Sequence, residues 1–425
     1  MTTVDEHART IERMLAGPLG LAGTATGTGT ETVPLTDALG RITAIDVSAA
    51  VDLPLFRNSQ MDGFAARAAD LVGAPVSLPV VGDVPAGHAQ PPALARGTVT
   101  RIMTGAIVPD GADCVVPVED TRLSADPGFA GLGSPDSSSS DPDSTTTHAG
   151  ASVTITIPRV AGDFVRERGS DLRRGELLLP AGQRLAPRHL AALAAGGHNS
   201  VLVRRRVRVA VITTGAELAP AGAALESGQI FDANLVALSA AVTEAGAELV
   251  LAESSSDDTG AFLSILKRAT RTANLIVTSG GVSQGAYEVV REALEPLGAV
   301  VGHVDMQPGG PQATAVVDGV PIVCFPGNPV STQVSFVVFL RPILRRAAGL
   351  TGLPPTARRL AGPVESVAGK RQFLRGRIRD DGTVETVAGA GSHLVAGMAR
   401  ADVLLDIPRE ITDLAAGQDV GAWVL

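Results

Sequence analysis

Three short segments carry the side chains that could hold a small anion: TTGAEL (Thr213 to Leu218), SGGVSQGAYE (Ser279 to Glu288) and PGNPVS (Pro326 to Ser331). Each sets glycine or proline beside small hydroxyl or amide groups. That composition lets a backbone approach an anion closely and offer it unpaired N–H groups. One such turn alone often serves only to reverse the chain. Three on one domain edge define a candidate site, with Thr214, Gly215, Ser279, Gly280, Gly281, Ser283, Pro326, Gly327 and Asn328 as binding positions.

The elements around these turns must place them side by side. VRVAVITTG, AELVLAES, NLIVTSGG, AVVGHVDM and PIVCF read as apolar strands. Between them DANLVALSAAVTEAG, DDTGAFLSILKRATRTA and AYEVVREALEPLG read as helices, and STQVSFVVFLRPILRRAAG closes the series. Strands buried on both faces and alternating with helices predict a parallel α/β layer, with its ligand loops gathered where the strands end. Val4 to Leu15 has helical spacing, and Gly17 to Thr30 reads as a loop. Residues 51–120 hold short Val-, Pro- and Gly-rich runs that fit a β-rich domain. SPDSSSSDPDSTTTH has almost nothing apolar to bury and predicts a disordered insertion at 124–150. The expected division is 1–50 with 151–186 as a discontinuous N-terminal domain, 51–150 as a β-rich domain, 187–350 as the α/β domain and 351–425 as a C-terminal β-barrel.

Composition excludes several classes. At 425 residues the chain exceeds a single core. A net charge of −9 argues against nucleic-acid binding, which needs a basic surface. The run Arg204 to Arg206 with Arg208 precedes a strand and reads as a solvated strand edge. Cys114 and Cys324 lie in apolar runs without metal-ligand spacing, as small buried hydrophobes in a reducing compartment do. No basic-then-apolar leader is visible, and no apolar run reaches the roughly 20 residues that cross a bilayer. The expectation is a cytoplasmic protein without membrane insertion. A dehydrogenase is excluded because no GxGxxG follows the first strand.

Longer motifs make a resemblance specific. DLPLFRNSQMDGFAAR (Asp52 to Arg67), RIMTGAIVPDGADCVV (Arg101 to Val116), RGSDLRRGE, SGGVS, PGNPVS and GSH (Gly391 to His393) occur in the order found in the molybdopterin molybdotransferase family, which includes the gephyrin E domain. The resemblance covers essentially the whole chain. It implies an elongated homodimer of four subdomains per chain: a mixed domain, a β domain, a molybdopterin-binding α/β domain and a C-terminal β-barrel. It also implies a reaction, insertion of molybdenum from molybdate into adenylylated molybdopterin with release of AMP and a divalent cation present. Asp62, Thr104, Asp171, Glu217 and Asp257 stand at the family's catalytic positions, and Arg375 and Ser392 at positions on the C-terminal side of the cleft. Glu217 and Asp257 are hard oxygen donors that suit Mg²⁺.

The chain departs from the family at charged positions. Ala216 and Ser170 replace acids, Gln307 and Gly310 replace the lysines of KPGKP, and His303 falls where another lysine is usual. Ala286 takes a frequent acidic position, Glu288 replaces an Asp, and Arg57 replaces the Asp of FDNS. Each charge-assisted hydrogen bond lost to a phosphorylated pterin or to molybdate weakens binding by about 1.5–3 kcal/mol. On that argument the expectation leans to a gephyrin-like, catalytically degenerate scaffold. Such a scaffold binds a partner peptide near the dimer interface and C-terminal domain, as cell-division relatives bind the tail of FtsZ. The alternative is an active molybdotransferase.

Overall fold

The computed structural model describes residues 2–20, 29–87, 90–123, 151–283 and 288–425. The insertion expected at 124–150, residues 21–28 and Ala286 lie outside them. The chain forms two compact units, one of Met1–Val33, Gly40–Ala44 and Leu202–Leu425, the other of Pro34–Leu39 and Ile45–Val201.

At the centre of the first unit is a six-stranded sheet of β1 (Arg208–Thr214), β2 (Glu248–Ser255), β3 (Leu275–Ser279), β4 (Val300–His303), β5 (Pro311–Val317) and β6 (Val320–Phe325), in the order β2-β1-β3-β6-β5-β4. The first four in that order pair in parallel, whereas β5 runs antiparallel to both β6 and β4. The parallel layer read from the sequence therefore ends in an antiparallel hairpin, and β5 is a strand that reading omitted. Its turn is Asp318–Gly319, with φ of 52° and 80°. Two positive φ values in a two-residue loop match the twist of a hairpin and leave no length for a crossover helix.

Alternate residues of each strand feed two cores. Val209, Val211, Leu275, Val277, Val323 and Phe325 face one side, where they join residues of α1 (Val4–Ala16), α2 (Ala233–Glu244) and the chain from Val330 to Leu344. Ala210, Ile212, Ile276, Ile322 and Cys324 face the other, against α3 (Thr259–Thr272) and α4 (Val289–Leu294). Asp232 and Asp258 start α2 and α3 by accepting from the Leu235 and Ala261 N–H groups at 2.9 and 2.7 Å. α4 is shorter than its sequence pattern because Pro296 lacks the donor a further turn needs. The last helix opens as Pro329–Ser335, widens into a π turn over Phe336–Leu340 and resumes at Arg341–Ala347. Pro342 accounts for the widening, since its ring crowds the carbonyl four residues earlier.

The C-terminal β domain is a second six-stranded sheet, containing Arg371–Ile378, Val403–Ile407 and Asp419–Val424. Its edge strand Met306–Gln307 belongs in sequence to the α/β domain and pairs in parallel with Arg371 and Gln372. Arg371 Nε and Nη2 donate to the two Asp406 oxygens at 2.6 and 2.7 Å, and its Nη1 donates to Asp5 at 2.8 Å, at the start of α1. The other unit carries a sheet in the order Cys114–Pro117, Gly63–Ala66, Val99–Ile102, Val76–Val84, Ser152–Ile155, Thr121–Leu123. Ser152–Ile155, which follows the insertion, pairs in this sheet with Val76–Val84 and Thr121–Leu123. A Cβ on Gly63 would lie 2.0 Å from the Val116 carbonyl oxygen, so QMDG needs glycine for that close pairing.

α1 is held by a capping box in which the Thr3 N–H donates to Glu6 Oε2 at 2.9 Å and the Glu6 N–H to Thr3 Oγ1 at 3.3 Å. It buries His7 edge-on to Phe339, with ring centroids 4.9 Å apart, and burial lowers the imidazole pKa from 6.5 to about 4. The unfolded chain therefore takes up this proton first as pH falls. The contribution is complete above about pH 6.5, declines toward pH 4 and amounts to about 3 kcal/mol by linkage. His7→Leu is expected to remove that component, so that the urea midpoints of variant and wild type diverge in the variant's favour as pH drops from 7 to 4.

Candidate active site

The ends of β1, β3 and β6 converge on a cavity of about 820 Å³ in the first unit. Its floor is assembled by backbone approaches that side chains would block. Gly280 has φ 99°, and a Cβ there would lie 2.6 Å from the Thr214 carbonyl oxygen. Gly281 has φ 65° and would meet the Val290 nitrogen at 2.9 Å, while a Cβ on Gly327 would sit 3.3 Å from Gly280 Cα. Polar side chains fasten the three turns together. Asn234 Nδ2 donates to Ser279 Oγ at 3.0 Å and to the Gly327 carbonyl at 2.6 Å. Ser279 and Thr332 hydroxyls both donate to the Pro326 carbonyl, at 3.1 and 2.6 Å. Asp232 caps α2 while also accepting from the Thr213 hydroxyl.

Above this floor stand the carboxylates. Glu217 folds back over Gly215, where a Cβ would meet its Oε2 at 2.6 Å, and Asp257 Oδ2 accepts from the Ala216 N–H at 3.1 Å. Both therefore flank one turn, Glu217 from within it and Asp257 from the loop after β2. Glu288 Oε2 accepts from the Ser283 N–H at 2.8 Å. The opposite wall comes from His303, from Met306 to Pro311, from Lys370 and from Ala390 to His393. Every ligand position read from the three turns lines this cavity, as do Glu217, Asp257 and Ser392.

Arg375 lies elsewhere. It is 2% exposed inside the C-terminal sheet and donates to the Gly389 carbonyl, so it holds the loop that carries Ser392. Asp62, Thr104 and Asp171 belong to the second unit. There the Thr104 N–H and hydroxyl donate to Asp62 Oδ1 at 2.6 and 2.8 Å, which lowers the carboxyl's pKa. Asp171 is exposed, its N–H donating to the Leu53 carbonyl at 2.9 Å. Arg57, which replaces an acid, is paired with Glu167 at 3.0 Å.

Sequence reasoning missed Asp232, Asn234, Lys370 and His393 as lining residues. Lys370 carried a usable signal, for the chain holds only two lysines. The cavity thus keeps one ammonium and two imidazoles beside four carboxylates, Glu217, Asp232, Asp257 and Glu288, so Lys370 restores part of the charge lost at positions 307 and 310.

Comparison with known proteins places the whole chain. Residues 2–197 match the MoeA N-terminal region (domain I and II), residues 210–346 a probable molybdopterin binding domain and residues 357–425 the MoeA C-terminal region (domain IV). Molybdopterin molybdenumtransferase 2 of Mycobacterium tuberculosis is 40% identical over 439 residues, covering 100% of both chains. The chain belongs to the MoeA family. A further MoeA-family relative, molybdopterin molybdenumtransferase of Nostoc sp., is 34% identical over 92% of this chain and 88% of its own. A crystal structure of a molybdopterin biosynthesis MoeA protein from Pyrococcus horikoshii superposes with TM-score 0.75 at 31% identity, covering 97% of this chain and 98% of that one. This MoeA-family chain is thus a protein of molybdenum cofactor biosynthesis with the expected multidomain fold. The matches give no support to a gephyrin-like branch, and the names of these relatives accord with the transferase, the alternative above, better than with a scaffold. Among the described residues no helix is long and apolar enough to cross a membrane.

The floor makes a sharp comparison possible. Gly222 also has positive φ, 84°, but nothing within 4 Å of its would-be Cβ. Gly222→Ala is expected to destabilise by about 1 kcal/mol from backbone strain alone. Gly280→Ala should lose roughly 2–4 kcal/mol, because strain is joined by collision with backbone. Equilibrium urea unfolding of the two variants checks the difference, and equal losses would rule out the packed floor.

Proposed function

We propose that this MoeA-family protein is an active molybdopterin molybdenumtransferase. Adenylylated molybdopterin occupies the cavity at the ends of β1, β3 and β6, molybdenum enters from molybdate, and AMP leaves. One observation carries the reading: a cavity whose floor lies in the segment matched as a molybdopterin binding domain joins a glycine cradle and the carboxylates Glu217 and Asp257 to the ammonium of Lys370, from the C-terminal region.

The parts divide the work by their chemistry. Backbone N–H groups around Gly281 and Gly327 orient the phosphorylated end of the pterin nucleotide. Lys370 offsets the anionic charge of both substrates. Glu217 and Asp257 would hold Mg²⁺. Among the described residues no cluster of three or more His, Cys, Asp or Glu could cage a metal. Two carboxylates flanking one turn, from neighbouring loops, suit an ion that keeps several waters and completes its shell with substrate phosphate. Bound there, the ion supplies charge neutralisation at the phosphoanhydride. Asp62, held ionised by its two Thr104 donors, and Asp171 stand ready as further polar groups on the second unit. A homodimer is part of this proposal.

Purified protein supplied with adenylylated molybdopterin, molybdate and Mg²⁺ should release AMP in step with molybdenum incorporation. Glu217→Gln and Asp257→Asn should each lower turnover by roughly 100-fold, with partial recovery at high Mg²⁺. Lys370→Gln should raise KM for the pterin about tenfold or more. Absence of pterin binding, alongside tight binding of an FtsZ-tail peptide, would instead establish the scaffold.

A further inference from the structure

Resting on the transferase reading and extending it, we infer that His303 is a substrate-anion-binding residue, and that Gly310 exists to give its imidazole room. His303 ends β4 and faces Pro311 across the β4–β5 pairing, beside Gly310. A Cβ on Gly310 would lie 2.3 Å from His303 Cε1, 2.5 Å from Nε2 and 3.0 Å from Nδ1. The ring therefore occupies the space that any side chain at 310 would enter. Conformation does not explain the glycine, since Gly310 is not among the residues with positive φ. Space does.

The neighbouring positions leave the task to this ring. Gln307, also on the cavity wall, accepts at Oε1 from Gln372 Nε2 at 3.0 Å and bears no charge. Of residues 303, 307 and 310, only His303 can bring a proton-bearing cation to the cavity. A protonated imidazole brings a full positive charge to the hydrogen bond it gives a phosphate or molybdate oxygen, and a neutral one gives the bond without that charge. The other ionisable groups around the cavity are Glu217, Asp232, Asp257, Glu288, Lys370 and His393. Affinity for the anionic substrate should accordingly fall as pH rises through the imidazole range, in a manner owed to His303.

The test is calorimetric binding of adenylylated molybdopterin to the full chain with Mg²⁺, at about pH 6 and about pH 8.5. Wild type should bind roughly tenfold tighter at the lower pH, relative to His303→Gln, which serves as the reference for the ligand's own ionisation. His303→Lys should bind tightly at both. Gly310→Ala should reproduce His303→Gln, and the double variant should be no weaker than either. The new Cβ meets a ring that can rotate away, not backbone, so Gly310→Ala should melt near the wild-type temperature. His393→Gln should weaken binding but keep the pH difference. Equal affinities of wild type and His303→Gln at both pH values, or a pH difference abolished by His393→Gln, would overturn the inference while leaving the transferase reading intact. Failure of wild type to bind at either pH would remove both.

Discussion

The structure depends on how closely three turns approach one another at the ends of β1, β3 and β6. Thr214, Gly280 and Gly327 come within a spacing that admits no Cβ on Gly280 and only a crowded one on Gly327. Ser279 and Thr332, both essentially buried, tie the same carbonyl from two directions. Sheet pairing delivers the turns to one edge, but these few polar bonds decide their final separation. A buried hydroxyl or amide left without a partner is penalised by a large desolvation term, so the cluster favours one arrangement over its neighbours. The cavity floor inherits its shape from that selectivity.

The remaining walls follow from a different constraint. Because β4 to β6 fold back as hairpins, the chain between β4 and β5 is brought to the cavity rim, and Met306–Gln307 within it joins the C-terminal sheet. Lys370 precedes the strand that receives this edge. The C-terminal β domain thus supplies charge to a site whose floor is built wholly by the α/β layer. The α/β layer contributes the carboxylates Glu217, Asp232, Asp257 and Glu288, and the chain from β4 to the C-terminal domain contributes His303, Lys370 and His393. A phosphorylated guest lying between them can meet metal-binding oxygen on one flank and positive charge on the other.

Much of this was legible in the residues. The strands and caps of the α/β layer were visible because strands buried on both faces read as continuous apolar runs, and Asp232 and Asp258 announce their helices. The three turns were found by composition, and each of their chosen residues lines the cavity. What escaped was long-range. β5 was omitted although VVDGV carries a hairpin signal, because the alternating pattern of helices suggested crossovers throughout. Lys370 and His393 reach the cavity through long-range contacts, the pairing of Met306–Gln307 with Arg371–Gln372, some 65 residues apart in the chain, and the Val330 N–H donating to the Ser392 carbonyl, and no local pattern encodes them. Counting charges motif by motif therefore understated the positive side. Arg375, placed on the C-terminal side of the cleft by the resemblance, is a buried brace of the loop that carries Ser392.

The short strand Met306–Gln307 has one further bearing. It is a hem sewn to two fabrics, flanked in sequence by strands of one sheet and paired in space to the other. The C-terminal layer accordingly cannot swing as a free lid on a tether. Any tilt of it pulls directly on the rim between β4 and β5, where the imidazole of His303 lies. Loss of the last seventy or so residues would therefore do more than shorten the molecule, because it would unravel one side of the cavity from within.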